Sequence, residues 1–482
     1  MTQKTAQAPL SGQLLSQLLC FMLFSLHFPM MGLGQDEEGG ESGIPSIRTM
    51  RAQEDYSVVE RNDSLSFFLK GLKYIPLDPK KNFHLTVGGG YRARLDHTSN
   101  IDFSPKDETA YLQRLNLHFS LRAGNRIRLF TELYHGYSSA GVSPVQSEDI
   151  DFHQAFGEFL LVERGPTLLN LRVGRQEIGY GASRLVGIRN GPNMRRSFDL
   201  AHLRLQHHRA RIDFFYGKEV FVRPKAFNNK SSLFDNDALN PSLWGVYYRH
   251  SLHEDLRMLE LYYLGFHANR AAFSDVTGEE TRHSFGIRSF GAIGSRFSYN
   301  TEFIIQTGDL GGNRVFATNL ETDWKYTLGE AGWRPKVGLK LDWSSGDRSL
   351  EDGKLQSFNP MFVNPGIYSL AGVNTPVNLT SLHPSITLFP AKKTSIYLDY
   401  AFFYRTRRSD GFYGPPRSIT REASLGTSKH LGNVLGLQAA YRLSRNVSFE
   451  VLLSYFLPGE FIEESGDSES IFFIAPTITL EF

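Results

Sequence analysis

From about residue 83 onward, apolar and polar side chains alternate residue by residue in segment after segment. The clearest example is Arg114 to Arg122. Leu115, Leu117, Phe119 and Leu121 fall on one face, and Arg114, Asn116, His118, Ser120 and Arg122 on the other. A period of two marks a strand with one apolar and one polar side. Leu169, Leu171 and Val173 against Asn170 and Arg172 repeat the plan, as do Ala201, Leu203 and Leu205 against His202, Arg204 and Gln206. Phe297, Tyr299, Thr301, Phe303 and Ile305 alternate likewise with Ser298, Asn300, Glu302 and Ile304. In the final stretch, Phe482, Leu480, Ile478, Ile474 and Phe472 share a face, opposite Glu481, Thr479, Thr477 and Ala475. A soluble sheet usually blunts such an edge. A barrel in a bacterial outer membrane needs it, with an apolar outside, a polar inside and aromatic residues at the interface.

Composition permits this reading. Mean hydropathy is −0.29, yet aromatic residues make up 13% of the chain, because alternating strands hide in hydropathy averages. Residues 1–34 read as a signal peptide: Lys4, an apolar run from about Leu14 to Met31, then Gly32-Leu33-Gly34. Removing them lowers the net charge from +2 to +1 and takes away Cys20, the only cysteine. The mature chain then has no disulfide framework and no thiolate metal site. Near-neutral charge argues against a nucleic-acid partner held by bulk electrostatics. Residues 35–82 begin polar and glycine-rich and are expected to form a flexible periplasmic leader; the barrel is expected over 83–482.

Connections alternate in length. Short turns are expected near 123–125, 163–167, 206–209, 251–255, 291–295, 390–394 and 443–446. Long segments are expected at 97–108, 137–149, 178–196, 219–242, 266–281, 344–380, 406–428 and 458–469. One barrel end would carry periplasmic turns and the other extracellular loops. The fold expected is a monomeric, all-β, antiparallel up-and-down transmembrane barrel of about 18 strands. Its partners would be outer-membrane lipid and lipopolysaccharide, with Tyr247, Tyr248, Tyr262 and Tyr263 in aromatic belts.

Several blocks, in order, carry a resemblance. They are Leu72 to Leu77 with Gly88 to Arg94; Gly174-Arg-Gln-Glu-Ile-Gly-Tyr-Gly181 running on through Arg184 and Arg189-Asn-Gly-Pro-Asn193 to Ser197-Phe-Asp199; Leu341 to Asp347 with Ser357 to Phe362; and Tyr404-Arg405, Ser409 to Gly411 and Leu457 to Phe461. Together they resemble the alginate export family of outer-membrane barrels over essentially all of 70–482. The segment 219–242 has no counterpart motif. The resemblance implies an outer-membrane channel, with an acidic polysaccharide such as alginate as the expected exported solute; whether periplasmic secretion partners feed it is left open by the sequence.

The residues themselves point to anions. Residues 175–199 hold Arg175, Arg184, Arg189, Arg195 and Arg196 against Glu177 and Asp199, a local charge of +3. Guanidinium groups bind carboxylates through paired charge-assisted bonds, and basic linings give anion selectivity. Asn193 lies in the same segment, and Arg92, Arg94, Arg114, Arg128, Arg172 and Arg204 are expected to extend the lining. The alternative is structural: these arginines pair with Glu132, Glu158, Asp213, Glu302 and Asp342 to fill the interior. No catalytic motif, metal site or cofactor signature is present. His153, His202 and His283 are read as lumenal polar residues. A plugged barrel acting as a surface receptor or adhesin, with loops 344–380 and 406–428 as binding surface, and a barrel hydrolase are the competing readings.

Overall fold

The computed structural model describes residues 44–61, 67–231, 241–253, 257–329, 332–364, 366, 368 and 370–482. The segment 1–34, expected to be a signal peptide, lies outside the described residues. Eighteen long strands, numbered here along the barrel, form one closed antiparallel sheet. They are β1 Phe83–Thr98, β2 Glu108–Ala123, β3 Ile127–Ser138, β4 Glu148–Arg164, β5 Thr167–Gln176 and β6 Phe198–His207. Next come β7 Ala210–Glu219, β8 Ser242–His253, β9 Arg257–Phe273, β10 Val276–Ile293, β11 Phe297–Leu310 and β12 Asn313–Thr327. The last six are β13 Lys336–Ser344, β14 Leu379–Ala391, β15 Thr394–Arg405, β16 His430–Ser444, β17 Val447–Pro458 and β18 Ile471–Glu481.

Each strand pairs with its sequence neighbour, and β18 returns to β1, from Gly90 opposite Glu481 to Thr98 opposite Phe473. Gly89 and Phe482 complete the seam by exchanging both backbone bonds, at 3.0 and 3.1 Å. Alternation has the expected consequence. Leu115 (49% exposed) and Leu117 point outward, while His118 and Ser120 are buried inside. No helix among the described residues is long and apolar enough to cross a membrane; the strands supply the crossings.

Two connections differ from expectation. The segment 266–281 is not a loop: β9 runs to Phe273, β10 starts at Val276, and only Ser274 and Asp275 turn between them. The apolar alternation lapses at the exposed Asn269 and Arg270, where polar side chains suit strands extended beyond the hydrocarbon layer. A second hairpin, turning at Gly311 and Gly312 between β11 and β12, gives no run of turn residues long enough to stand out. Both glycines take positive φ (54° and 86°), as a two-residue turn requires.

Part of the segment expected as a flexible leader lies against the inner wall. Arg51 donates to Gly89 O at 2.7 Å and pairs with Glu54 at 2.8 Å, and both side chains are buried. Arg128 of β3 donates to Ala52 O at 2.6 Å, and Ala52 packs on Phe130 and Phe156. Arg195 holds Thr49 O at 2.6 Å, and Arg445, in the β16–β17 turn, holds Pro45 O. The wall is shaped for this contact. A Cβ on Gly88 would meet Lys73 Nζ at 2.6 Å, and one on Gly90 would come within 3.5 Å of Arg51. Polar composition suggested disorder because the barrel interior is itself polar and offers partners that the sequence alone does not display.

Two measurements check this architecture. Leu117→Arg, at mid-strand on the outer face, should destabilise the barrel by about 2–4 kcal/mol in a lipid-refolding titration. A near-zero cost would mean that this face does not meet lipid. Deleting residues 44–56 should raise single-channel conductance while the barrel still runs as a folded, heat-modifiable band; an unchanged conductance would place the segment outside the current path.

Candidate functional site

The connection 177–197 between β5 and β6 does not stay at the rim. Near the end of β5, Gly174 takes φ 127° and lies so close to β4 that any Cβ would strike Ala155 O at 2.4 Å. Across the lumen, Gly181 N donates to Tyr247 Oη at 3.0 Å and Ala182 N to Glu302 Oε2 at 3.2 Å. Tyr180 inserts into a stack on the wall, 5.0 Å from the Phe215 ring and 4.5 Å from Tyr247, which in turn lies 5.1 Å from Tyr262. Tyr247 and Tyr262 are therefore inward and buried, bonded to Glu260 and Glu302. Of the four tyrosines expected in the aromatic belts, only Tyr248 and Tyr263 have the outward parity. Strand parity forbids adjacent residues from sharing a face.

A second inward arm, 345–364, meets the first. Val186 bridges to Phe362, Gly187 N donates to Phe362 O at 2.9 Å, and Phe362 N donates to Leu185 O at 2.9 Å. Ile178, Val186, Phe198, Phe266, Phe358 and Phe362 share one buried cluster at this junction. Arg196 fastens both arms: its Nη1 donates to the carbonyls of Gly187 (3.0 Å) and Phe362, and its Nε to Glu219 at 2.8 Å. Above the junction, Asp410 accepts from Ser357 Oγ at 2.5 Å, Tyr413 Oη at 2.7 Å and Asp347 N at 2.9 Å. One carboxylate thus joins arm 345–364 to the 406–429 loop.

The expected arginine lining divides into two groups. Most members have an acid. Arg94 pairs with Asp96, Arg172 with Glu158, Arg195 with Glu177 at 2.8 Å, and Arg196 with Glu219. Arg204 donates to Asp213 at 2.9 Å, beside His202 at 2.8 Å, and His153 lies 2.8 Å from Glu177. Arg184 pairs with Glu321 and lies 3.3 Å from Asp342. Arg175 pairs with Asp199 at 2.9 Å and donates to Asn229 O at 3.0 Å. Both take the parity of the exposed Val173 and Ala201, so they brace the rim under the segment 221–231 instead of lining the lumen. His283 shares the outward parity of Phe285 and bonds Tyr263 at 2.9 Å, again unlike the expectation.

Four arginines of this expected lining have no carboxylate within ion-pair distance among the described residues: Arg92, Arg114, Arg128 and Arg189. Arg128 is spent on Ser120 Oγ (2.7 Å) and Ala52 O, and Arg189 donates to Met194 O at 3.3 Å. Arg92 and Arg114 stand directly opposite each other on β1 and β2. Both turn to the loop. Arg92 donates to Asn190 O at 2.9 Å and Asn193 Oδ1 at 3.2 Å, and Arg114 donates twice to Asn190 Oδ1 at 3.1 Å. The sequence marked Asn193 but passed over Asn190, and it missed the pairs Arg249 and Arg288 with Glu260 and Arg282 with Glu280. Only strand register reveals those.

A family model described as alginate export matches residues 83–475. The chain belongs to the alginate export family. No curated protein sequence matches it. Among solved structures, Pseudomonas aeruginosa opdK aligns at TM-score 0.56 and 8% identity, covering 83% of this chain and 98% of its own. OpdO of the same organism gives TM-score 0.55 at 9% identity over 83% and 97%. OccK2 (OpdF) from that organism, solved in complex with glucuronate, gives 0.54 at 9% over 83% and 96%. These neighbours share the porin-type fold. Family and fold are those of an outer-membrane channel.

The Asp347–Asp410 junction predicts a pH effect. Burial, reinforced by Asp410, pushes the Asp347 carboxyl up to about 6, and burial also raises Asp410. A carboxyl whose folded value exceeds its unfolded one stabilises most when protonated, and that contribution is lost as pH rises through about 6. Amide protection in 345–364 and 406–429, taken relative to the intrinsic base-catalysed rate at each pH, should therefore be lower at pH 7.5 than at pH 5, and Asp347→Asn should flatten the difference. Higher protection at pH 7.5 would reverse the assignment.

Proposed function

We propose that this outer-membrane channel favours anionic solutes, and that its substrate class is an acidic oligo- or polysaccharide of the uronate type, such as alginate. One observation carries the reading. Arg92 and Arg114 are cross-strand partners of like charge, and among the described residues no acid lies within ion-pair distance of either. Like charges directly opposite on a sheet destabilise it. At Arg211 and Arg249, which also face each other, acids resolve the same situation, through Asp213 and Glu260. Arg122 and Arg128 are a further facing pair without an acid in ion-pair contact among the described residues, but Arg128 is spent on Ser120 and the carbonyl of Ala52. The uncompensated pair lies beside the arm that narrows the lumen, where positive charge acts most strongly on a passing anion. That a fold neighbour was solved with glucuronate is consistent with a uronate fitting a barrel of this type.

A second reading follows from the packed junction of arms 177–197 and 345–364. If the two arms stay joined, the barrel is a plugged surface receptor for the same anionic class. Conductance separates the two. Refolded chain in a planar bilayer under a salt gradient should open and give an anion-selective reversal potential. Arg92→Ala with Arg114→Ala should move that potential toward zero. Absence of openings from a folded barrel would favour the receptor, and a cation-selective potential would sink the anion reading altogether.

A further inference from the structure

We infer that Asn190 is a built-in stand-in for a substrate carboxylate, a neutral side chain that occupies the arginine site until an anionic solute displaces it. The inference rests on the anion reading above and assigns the site within it. Three strand arginines donate to one short stretch of loop. Arg114 grips Asn190 Oδ1 with both terminal nitrogens at 3.1 Å, and Arg92 takes Asn190 O at 2.9 Å and Asn193 Oδ1 at 3.2 Å. Arg94 takes Gly191 O at 3.2 Å while its other nitrogens hold Asp96. Every acceptor the loop offers is an uncharged oxygen. An asparagine has the shape of a carboxylate without its charge, so it fills the fork but satisfies it less well than an anion would. Charge-assisted bonds are roughly twice as strong as neutral ones.

The surroundings suit exchange. Asn190 and Arg114 are half-buried, and Gly191 is exposed with nothing within 4 Å of the position a Cβ would take. The stretch is anchored on either side. Asn193 Nδ2 donates to Tyr137 O and Gln146 O at 2.9 Å, and Arg196 holds Gly187 O. The tip 189–191 can therefore swing while its base stays fixed. An internal competitor of this kind keeps the arginines ordered when empty and limits how long a bound uronate remains. A channel needs that compromise, since binding must permit both capture and release.

The test is block of single-channel current by trigalacturonate, with maltotriose as the neutral control, in the full refolded chain. Asn190→Ala and Asn190→Ser should each lengthen the trigalacturonate dwell by about tenfold, the scale of exchanging a neutral for a charge-assisted acceptor. Asn190→Asp, which places a permanent carboxylate in the fork, should shorten the dwell by a similar factor and reduce anion preference. Maltotriose should be unaffected throughout. Wild-type block by trigalacturonate with dwell times unchanged in folded Asn190→Ala and Asn190→Ser overturns this inference and leaves the anion channel standing. No trigalacturonate block and no anion preference in the wild type overturns both.

Discussion

Everything in this molecule depends on closing the ladder between β1 and β18. In hydrocarbon, an unpaired backbone donor or acceptor costs several kcal/mol, so a spanning sheet cannot keep an edge. The two reciprocal backbone hydrogen bonds between Gly89 and Phe482 and the register from Gly90–Glu481 upward remove it. Closure fixes the parity of every strand at once. One set of side chains must meet lipid, and the other must meet whatever fills the inside. The apolar set needs little further arrangement. The polar set is forced together at low dielectric, where each charge demands a partner.

The interior answers that demand in three ways. Acids on neighbouring strands neutralise most arginines, as Glu158 does for Arg172 and Glu260 for Arg249 and Arg288. Where the wall lacks partners, other segments bring them. The stretch from Pro45 to Tyr56 supplies Glu54 near His118 and a carbonyl for Arg128, on a part of the wall cleared by Gly88 and Gly90. The inward arm 177–197 supplies Arg184 to the acids of β12 and β13. Loop, leader and wall are thus one charge-balancing system. The arms cross the lumen because their ions have partners on the far side, and apolar contacts such as Val186 with Phe362 seal the crossing.

The sequence displayed the barrel because lipid imposes a one-dimensional rule: Leu115, Leu117, Phe119 and Leu121 can be read without knowing any neighbour. It displayed much less of the site, because pairing there is set across strands and loops. Glu132 and Glu302 stood out as possible partners, but Glu132 serves Asn116 and Gln154, and Glu302 holds Tyr262 and a loop amide. Arg175 looked like a lining residue until the parity of β5 placed it beside Val173. Tyr247 and Tyr262 were misplaced in the belt by their residue type, although parity with their neighbours Tyr248 and Tyr263 already separates them. The resemblance found the segment 174–199 as a unit, yet could not say that Asn190 within it faces Arg114.

A lumen in which every cation had its acid would be stable and inert. A lumen with many bare cations would be costly to fold and would hold anions too long. Beside the arm, the imbalance of this lumen falls at Arg92 and Arg114, which the β1–β2 register sets face to face, while at the other facing pair, Arg122 and Arg128, Arg128 is taken up by Ala52 O of the leader. Neutral oxygens of a tethered loop then supply enough bonding to order Arg92 and Arg114 without cancelling their charge. On the proposed anion reading, that division puts selectivity at the arm. The same reading accounts for the lack of an acid in contact with those two arginines: a fixed carboxylate between them would repair the sheet locally and abolish the field that a passing anion could feel.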